Sequence, residues 1–292
     1  PWSAHLDAGV AVQLRVHSQR SRLHHTGAIA ERALEVLRGA VPDLRVAADG
    51  ERGVGVVLRL RRDRVRVSLD LAGAPLHQRG YRLASTRAPL REDVASALLA
   101  LLRWQPDECL VDPLCGSGTL PIEAALRAAG GVLRAGRSFA FQDLPGFDSE
   151  LFFQQKKGEP SEVSAPIIGR DRDRGAVQAA GDNARRAGVF ARLRIEQATL
   201  SSPLQELPER GVLVANPPWG LRVGKVAALA DLHAALGTLA RRLGQGWRVG
   251  LVTSRPELAQ ATGLALNSQL MTDQGGVKVR LYTSASGTDD PE

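Results

Sequence analysis

Cysteine is nearly absent: the 292-residue chain has two, Cys109 and Cys115. Two thiols six positions apart make neither a disulfide framework nor a metal-binding spacing, so a small secreted scaffold is excluded and no metal is expected. A reducing, cytoplasmic compartment fits best. Long apolar runs are missing too. Although 43% of the residues are hydrophobic, no stretch approaches the ~18 to 20 residues that span a bilayer, and the start shows no signal-peptide pattern. No membrane partner is expected. Methionine occurs once, as Met271, and the first residue is Pro1, so the sequence is expected to lack its natural beginning. The length suggests two domains.

What is present is unevenly placed. The formal net charge is +7, and all of the excess is N-terminal: residues 1–91 hold 16 Arg against 8 Asp and Glu, whereas residues 92–292 are close to balanced. A basic module joined to a neutral one is the footprint of a nucleic-acid reader attached to a catalytic or ligand-binding domain. An arginine-rich solvated surface is the plain alternative.

Along the first ninety residues, Val10, Val12, Leu14 and Val16 alternate with polar residues, the mark of a half-buried strand. A helix follows, with Ile29, Ala33, Leu34 and Leu37 at helical spacing, Thr26 as its cap and Gly39 as its stop. Two further strands, Val54 to Leu60 and Val65 to Leu71, flank the charged turn Arg61-Arg62-Asp63-Arg64. This is a small α+β unit. Arg20, Arg22, His24 and His25 surround the start of its helix, where arginines and free backbone N–H groups suit phosphate. A solvated loop is the alternative there.

Arg87 to Trp104 reads as a helix with Pro89 in its first turn. It leads into Cys109 to Ala125, C-L-V-D-P-L-C-G-S-G-T-L-P-I-E-A-A, which reads as strand, glycine turn and helix. Asp112 ends the strand where open α/β sheets bind ligands, and Gly116 and Gly118 let the backbone approach one closely. A bare G-x-G is a weak signal and does not name the ligand. Residues 132–166 interrupt the rhythm with five phenylalanines and a polar run, read as a packed insertion and a mobile loop. From Ile167 onward strands and helices alternate again, which argues for a doubly wound, mainly parallel sheet.

Val212 to Gly220, V-L-V-A-N-P-P-W-G, supplies the second motif. The exocyclic amine of a nucleobase is a poor nucleophile because its lone pair is delocalised into the ring. The side-chain carbonyl of Asn216 and the backbone carbonyl of Pro217 can accept its two N–H bonds and turn the lone pair towards an electrophile. Pro217 and Pro218 stiffen the loop, and Trp219 is expected to stack on the base, a contact worth roughly 1–3 kcal/mol.

With S-R-L-H-H-T-G-A-I-A-E-R, S-L-D-L-A-G-A-P-L-H-Q-R-G-Y-R, A-P-L-R-E-D-V-A, D-P-L-C-G-S-G-T, G-R-D-R-D and N-P-P-W-G in place, the chain resembles the THUMP-domain RNA methyltransferases of the class I, S-adenosylmethionine-dependent superfamily. Within it the chain is similar to the guanine-N2 methyltransferases of bacterial large-subunit ribosomal RNA or of transfer RNA. The resemblance implies a Rossmann-like α/β domain at 106–286, with the insertion at 132–166. Before it stand a linker helix at 87–105 and a small α+β THUMP-like RNA-binding domain at 1–86, which lacks its upstream ferredoxin-like part. It also implies that Asp112, Cys115, Gly116 and Gly118 line the methionine end of S-adenosylmethionine, with Thr119 starting the helix and Pro113 and Arg172 also binding the cofactor. Asp171 would accept from the ribose hydroxyls, and Thr199 would stand where the family usually has an acid to read adenine. Asn216, Pro217, Pro218 and Trp219 would hold the guanine amine, with Trp219 in place of the usual Tyr or Phe. Arg15, Arg20, Arg22, His24, His25, Arg79 and Arg82 are the expected RNA contacts, on a protein expected to be a monomer. Three other readings stay open: the same reaction on transfer RNA, adenine-N6 methylation of DNA, and a non-catalytic RNA-binding assembly factor.

Overall fold

A computed structural model describes residues 1–83, 89–130, 138–156, 164–204, 206–220 and 226–284. The chain divides into two compact units, Pro1–Leu76 with Arg134–Lys156, and His77–Leu133 with Lys157–Glu292. This differs from the expected boundaries: the insertion belongs to the first unit, and the R-G-Y-R segment to the second.

The first unit contains β1 (Ala11–Gln19), α1 (Thr26–Ala40), β2 (Arg45–Val46), β3 (Val54–Arg61) and β4 (Arg64–Asp70). They form a sheet of order β2-β1-β3-β4, in which β1 is parallel to β2 and β3 while β3 and β4 make an antiparallel hairpin. The hairpin turn is Arg62-Asp63, with φ of 50° and 61°, the left-handed pair that matches strand twist. Val12, Val56, Leu58 and Leu60 pack with Leu37 of α1 in one core.

The second unit opens with α2 (Glu92–Leu101), β5 (Cys109–Asp112) and α3 (Thr119–Ala128). The expected helix from Arg87 starts later because Arg91 is extended; residues 84–88 lie outside those described. The chain then returns to the first unit, with a 3-10 turn at Ala140–Asp143 and α4 (Ser149–Lys156). Phe139, Phe141, Phe147 and Phe152 cluster there at ring separations of 5.2–6.2 Å. Arg52 clamps the segment by an ion pair to Asp143 at 2.8 Å and a bond to the Phe139 carbonyl at 2.7 Å. The loop expected to be mobile falls largely on residues 157–163, outside those described.

The second unit resumes with β6 (Ile167–Asp171), α5 (Arg174–Ala187), β7 (Leu193–Gln197), β8 (Gly211–Ala215), α6 (Val226–Leu243), β9 (Trp247–Thr253), α7 (Pro256–Ala261), β10 (Leu266–Gln274) and β11 (Val277–Ser284). The sheet order is β10-β11-β9-β8-β5-β6-β7. Its five strands from β9 to β7 are parallel, and β11 runs antiparallel to both β9 and β10. Alternate residues of the central strands enter opposite cores: Leu110, Val212 and Val214 on one side, Cys109, Val111, Leu213 and Ala215 on the other. Burial on both faces is what a doubly wound sheet requires. β10 went unread in the sequence because its Leu270 and Met271 are adjacent, exposed and without alternation. Among the described residues, no helix is long and apolar enough to cross a membrane.

Candidate active site

From β5 the chain winds outward through β6 and β7, then returns to the other side of β5 with β8 and β9. Where strand order reverses, the loops leaving the carboxyl ends diverge and open a crevice. The loops of four neighbouring strands, β7, β6, β5 and β8, carry Thr199, Asp171, the stretch Asp112 to Thr119, and Asn216 respectively. The expected cofactor and amine residues therefore share one edge of one sheet.

The loop after β5 is held from several directions. Asp112 is 2% exposed and its Oδ1 accepts from the Leu114 N–H at 3.1 Å. Burial pushes its carboxyl up to about 8, the Leu114 bond works against that, and the charge of Asp171 adds to it. Burial also raises the Cys115 thiol, and the Cys115 N–H donates to the Arg170 carbonyl at 2.8 Å. Gly118 has φ +84°, and a Cβ there would lie 3.0 Å from that of Ala180, so both backbone conformation and the approach of α5 demand glycine. Pro113 and Thr119 are buried and Gly116 is half-buried.

Asp171 joins two loops. Its Oδ2 accepts from the Gly116 N–H at 3.0 Å and its Oδ1 from the Asp173 N–H at 2.9 Å. A carboxylate has lone pairs left beyond two such bonds. Arg172 is exposed, and its carbonyl accepts from the Gln197 side chain. Thr199, also exposed, lies in a hydroxyl cluster, with its Oγ1 2.9 Å from both Ser201 Oγ and Ser202 Oγ.

Asn216 follows β8 directly, and its Oδ1 is buried without a hydrogen-bond partner among the described residues. A buried acceptor left unmade costs about 1–3 kcal/mol, and none of the described residues supplies a donor to this one. Pro217 is buried and Pro218 exposed. Trp219 corrects the expectation of base stacking. Its ring is 7% exposed in the core beside Val214 and Val252, and its indole N–H donates to the Val252 carbonyl at 3.1 Å. A ring so enclosed offers no open face; it anchors the loop from below. Gly220 closes the loop at φ +63°, where a Cβ would fall 2.3 Å from Leu229 Cδ1.

Arg79 and Arg82 are a second correction. Both were expected on RNA, yet Arg79 pairs with Glu123 at 3.2 Å, the side chains 8% and 0% exposed, and Arg82 pairs with Glu92, at 13% and 5%. Their charges are spent inside the unit. Glu123 is pushed up to about 7 by burial, with Arg79 pulling the other way, and it also accepts from the Tyr81 hydroxyl at 3.1 Å. The chain of contacts continues, since Arg186 donates to the Tyr81 carbonyl at 2.8 Å and to Asn183 Oδ1 at 2.5 Å, and Asn183 donates to the Ser117 carbonyl at 3.0 Å. Sequence reading missed this network. Its one signal was an acid, Glu123, inside the apolar face of a buried helix.

In the first unit, Arg20, Arg22, His24 and His25 are exposed around the start of α1 as expected. Arg22 is tied to Asp63 at 2.9 Å while 89% exposed, and Arg15 to Asp70 at 3.0 Å while 46% exposed. Among the described residues, no three or more His, Cys, Asp or Glu are grouped to hold a metal ion.

Comparison with known proteins bears on this site. The chain is 37% identical to the ribosomal RNA large subunit methyltransferase K/L of Syntrophotalea carbinolica, over 96% of its own length and 42% of the relative's. It thus spans about two fifths of that protein. Among solved structures it resembles SMU.472, crystallised in complex with SAH, at a TM-score of 0.80 and 27% identity over 98% of this chain and 78% of that one. A predicted N6-adenine-specific DNA methylase from Listeria monocytogenes superposes at 0.75 and 29% identity, over 98% and 76%. Residues 79–282 match the model of UPF0020, the RMKL-like methyltransferase domain. The match begins at the Arg79 of the buried network and ends in the last strand of the sheet, and the chain belongs to this RMKL-like methyltransferase family.

Proposed function

We propose that the chain is an S-adenosylmethionine-dependent RNA methyltransferase that modifies the N2 amine of a guanosine in large-subunit ribosomal RNA. The observation that carries this reading is the buried, unpartnered Oδ1 of Asn216 at the carboxyl end of β8. An amine N–H is the donor it lacks. With the Pro217 carbonyl accepting the second N–H, the nitrogen is fixed and its lone pair directed out of the ring plane, so that acceleration rests on orientation rather than on a strong base. Trp219 contributes by fixing the loop's height against Val252.

The residues at this sheet edge suit the cofactor by their chemistry. Asp112, Pro113, Cys115, Gly116, Gly118 and Thr119 would take its methionine end, Asp171 and Arg172 the ribose, and the hydroxyls of Thr199, Ser201 and Ser202 the adenine edge. The chemistry it supplies when bound is an electrophilic methyl carbon on a sulfonium. The first unit is proposed as a THUMP-like RNA-binding module, supported by its motifs and basic charge.

The test is transfer of labelled methyl to unmodified ribosomal RNA, transfer RNA and DNA, followed by mass analysis of the nucleosides. N2-methylguanosine from ribosomal RNA is the expected product. The likeness to the Listeria protein favours a second reading, and methyl groups on adenine N6 of DNA would replace the first reading with it.

A further inference from the structure

The strands of the first unit put two different surfaces on the two faces of one sheet. Register pairs Leu60 with Val65 and Leu58 with Val67 on the apolar face, where Leu58 and Leu60 of β3 are buried in the core and Val65 and Val67 of β4 are exposed. On the outer face it pairs Arg61 with Arg64 and Arg59 with Arg66, and sets His17 of β1 beside Arg59. All four arginines are exposed, and among the described residues none has a side-chain ion pair or hydrogen bond. The nearby acids are engaged: Asp70 holds Arg15 and Asp63 holds Arg22.

Like charges set directly opposite each other across an antiparallel pair work against the sheet. The burial on this hairpin is mainly on the other face, through Val56, Leu58 and Leu60 of β3, so the arginine ladder is not required by the fold. Cross-strand neighbours stand about 5 Å apart and same-face neighbours along a strand about 7 Å apart. Such a ladder presents several planar, permanently charged forks that each match a phosphate. No Phe, Tyr or Trp occurs in β1, β3 or β4, so the face lacks the aromatic platforms of a single-strand reader, and His17 beside Arg59 is its one ring. Contact with backbone alone is how helical RNA is recognised, by shape rather than by sequence.

We propose that the outer face of this sheet, centred on Arg59, Arg61, Arg64 and Arg66, is a docking surface for the phosphate backbone of a helical segment of the substrate RNA. The choice of RNA as the polyanion rests on the methyltransferase reading above. Arg22 of the loop before α1 meets this surface at its edge, through Asp63 in the hairpin turn.

The experiment replaces all four arginines, by Ala in one variant and by Lys in another, in the full chain. Binding to unmodified, transcribed large-subunit ribosomal RNA is followed from about 50 to 200 mM salt. The Ala variant is expected to bind at least about tenfold more weakly at low salt and to lose about one unit of log–log salt slope per arginine, while the Lys variant keeps the slope. Calorimetric affinity for S-adenosylhomocysteine stays unchanged in both. Wild-type affinity and slope in the Ala variant overturn the proposal, as does a loss confined to an acidic polypeptide such as polyglutamate. If the wild-type protein makes no N2-methylguanosine but the Ala variant still loses RNA affinity, the catalytic reading fails and the surface stands. Should the quadruple variant unfold early, Arg59→Ala with Arg66→Ala, and Arg61→Ala with Arg64→Ala, carry the same test at about two units of slope each.

Discussion

Asp112 shows how burial decides the behaviour of one side chain. Its folded value of about 8 lies far above the ordinary 3.8, so the folded chain keeps a proton that the unfolded chain sheds. Its contribution to stability is complete below the ordinary value and is lost as pH rises towards about 8. Glu123 works in the same direction between 4.5 and about 7. Urea unfolding midpoints should therefore fall across this range in the wild type, and fall less in Asp112→Asn. A cationic ligand beside Asp112 favours the ionised form, so binding of S-adenosylmethionine near neutrality is expected to release a proton, seen as buffer-dependent heat in calorimetry. Asn216→Ala should lower the methyl-transfer rate by at least about 10²-fold, the scale of a lost positioning contact, with cofactor affinity nearly unchanged. Normal turnover would remove Asn216 from the site.

The turn between β5 and α3 was legible from the sequence because glycine chemistry is local: Gly118 must take a left-handed conformation whatever the rest of the chain does. Gly118→Ala is expected to cost about 1–3 kcal/mol in thermal unfolding and to weaken cofactor binding as well. The brace behind that turn was not legible. Asn183 and Ser117 are 66 residues apart, and Arg186 and Tyr81 are 105 apart; no period or spacing announces such partners. Asn183→Ala leaves the Ser117 carbonyl without this donor and should destabilise by about 1–3 kcal/mol. Trp219 failed as a stacking platform for a related reason. An aromatic residue after a strand reads the same in sequence whether its ring faces the crevice or the core, and the Val252 carbonyl that decides between them lies 33 residues away.

The basic N-terminal third and the mainly parallel sheet were visible as composition and rhythm. The destination of the insertion was not, because a segment that leaves one unit and completes another keeps its place in the sequence. Arg52 and Phe139, 87 residues apart, meet only after folding. Replacing residues 134–156 by a short glycine-serine linker should therefore lower the stability of the first unit by at least about 3 kcal/mol, the scale of losing buried phenylalanine. Scanning calorimetry should show one transition moved and the other in place.

That shared ownership of the chain also sets an order of events during synthesis. The first unit needs Arg134–Lys156, so it cannot close until the strand β5 and helix α3 of the second have already been made. The polypeptide passes between the units after residues 76, 133 and 156. No single cleavage separates them, and a truncation that spares either unit whole must cut into the other.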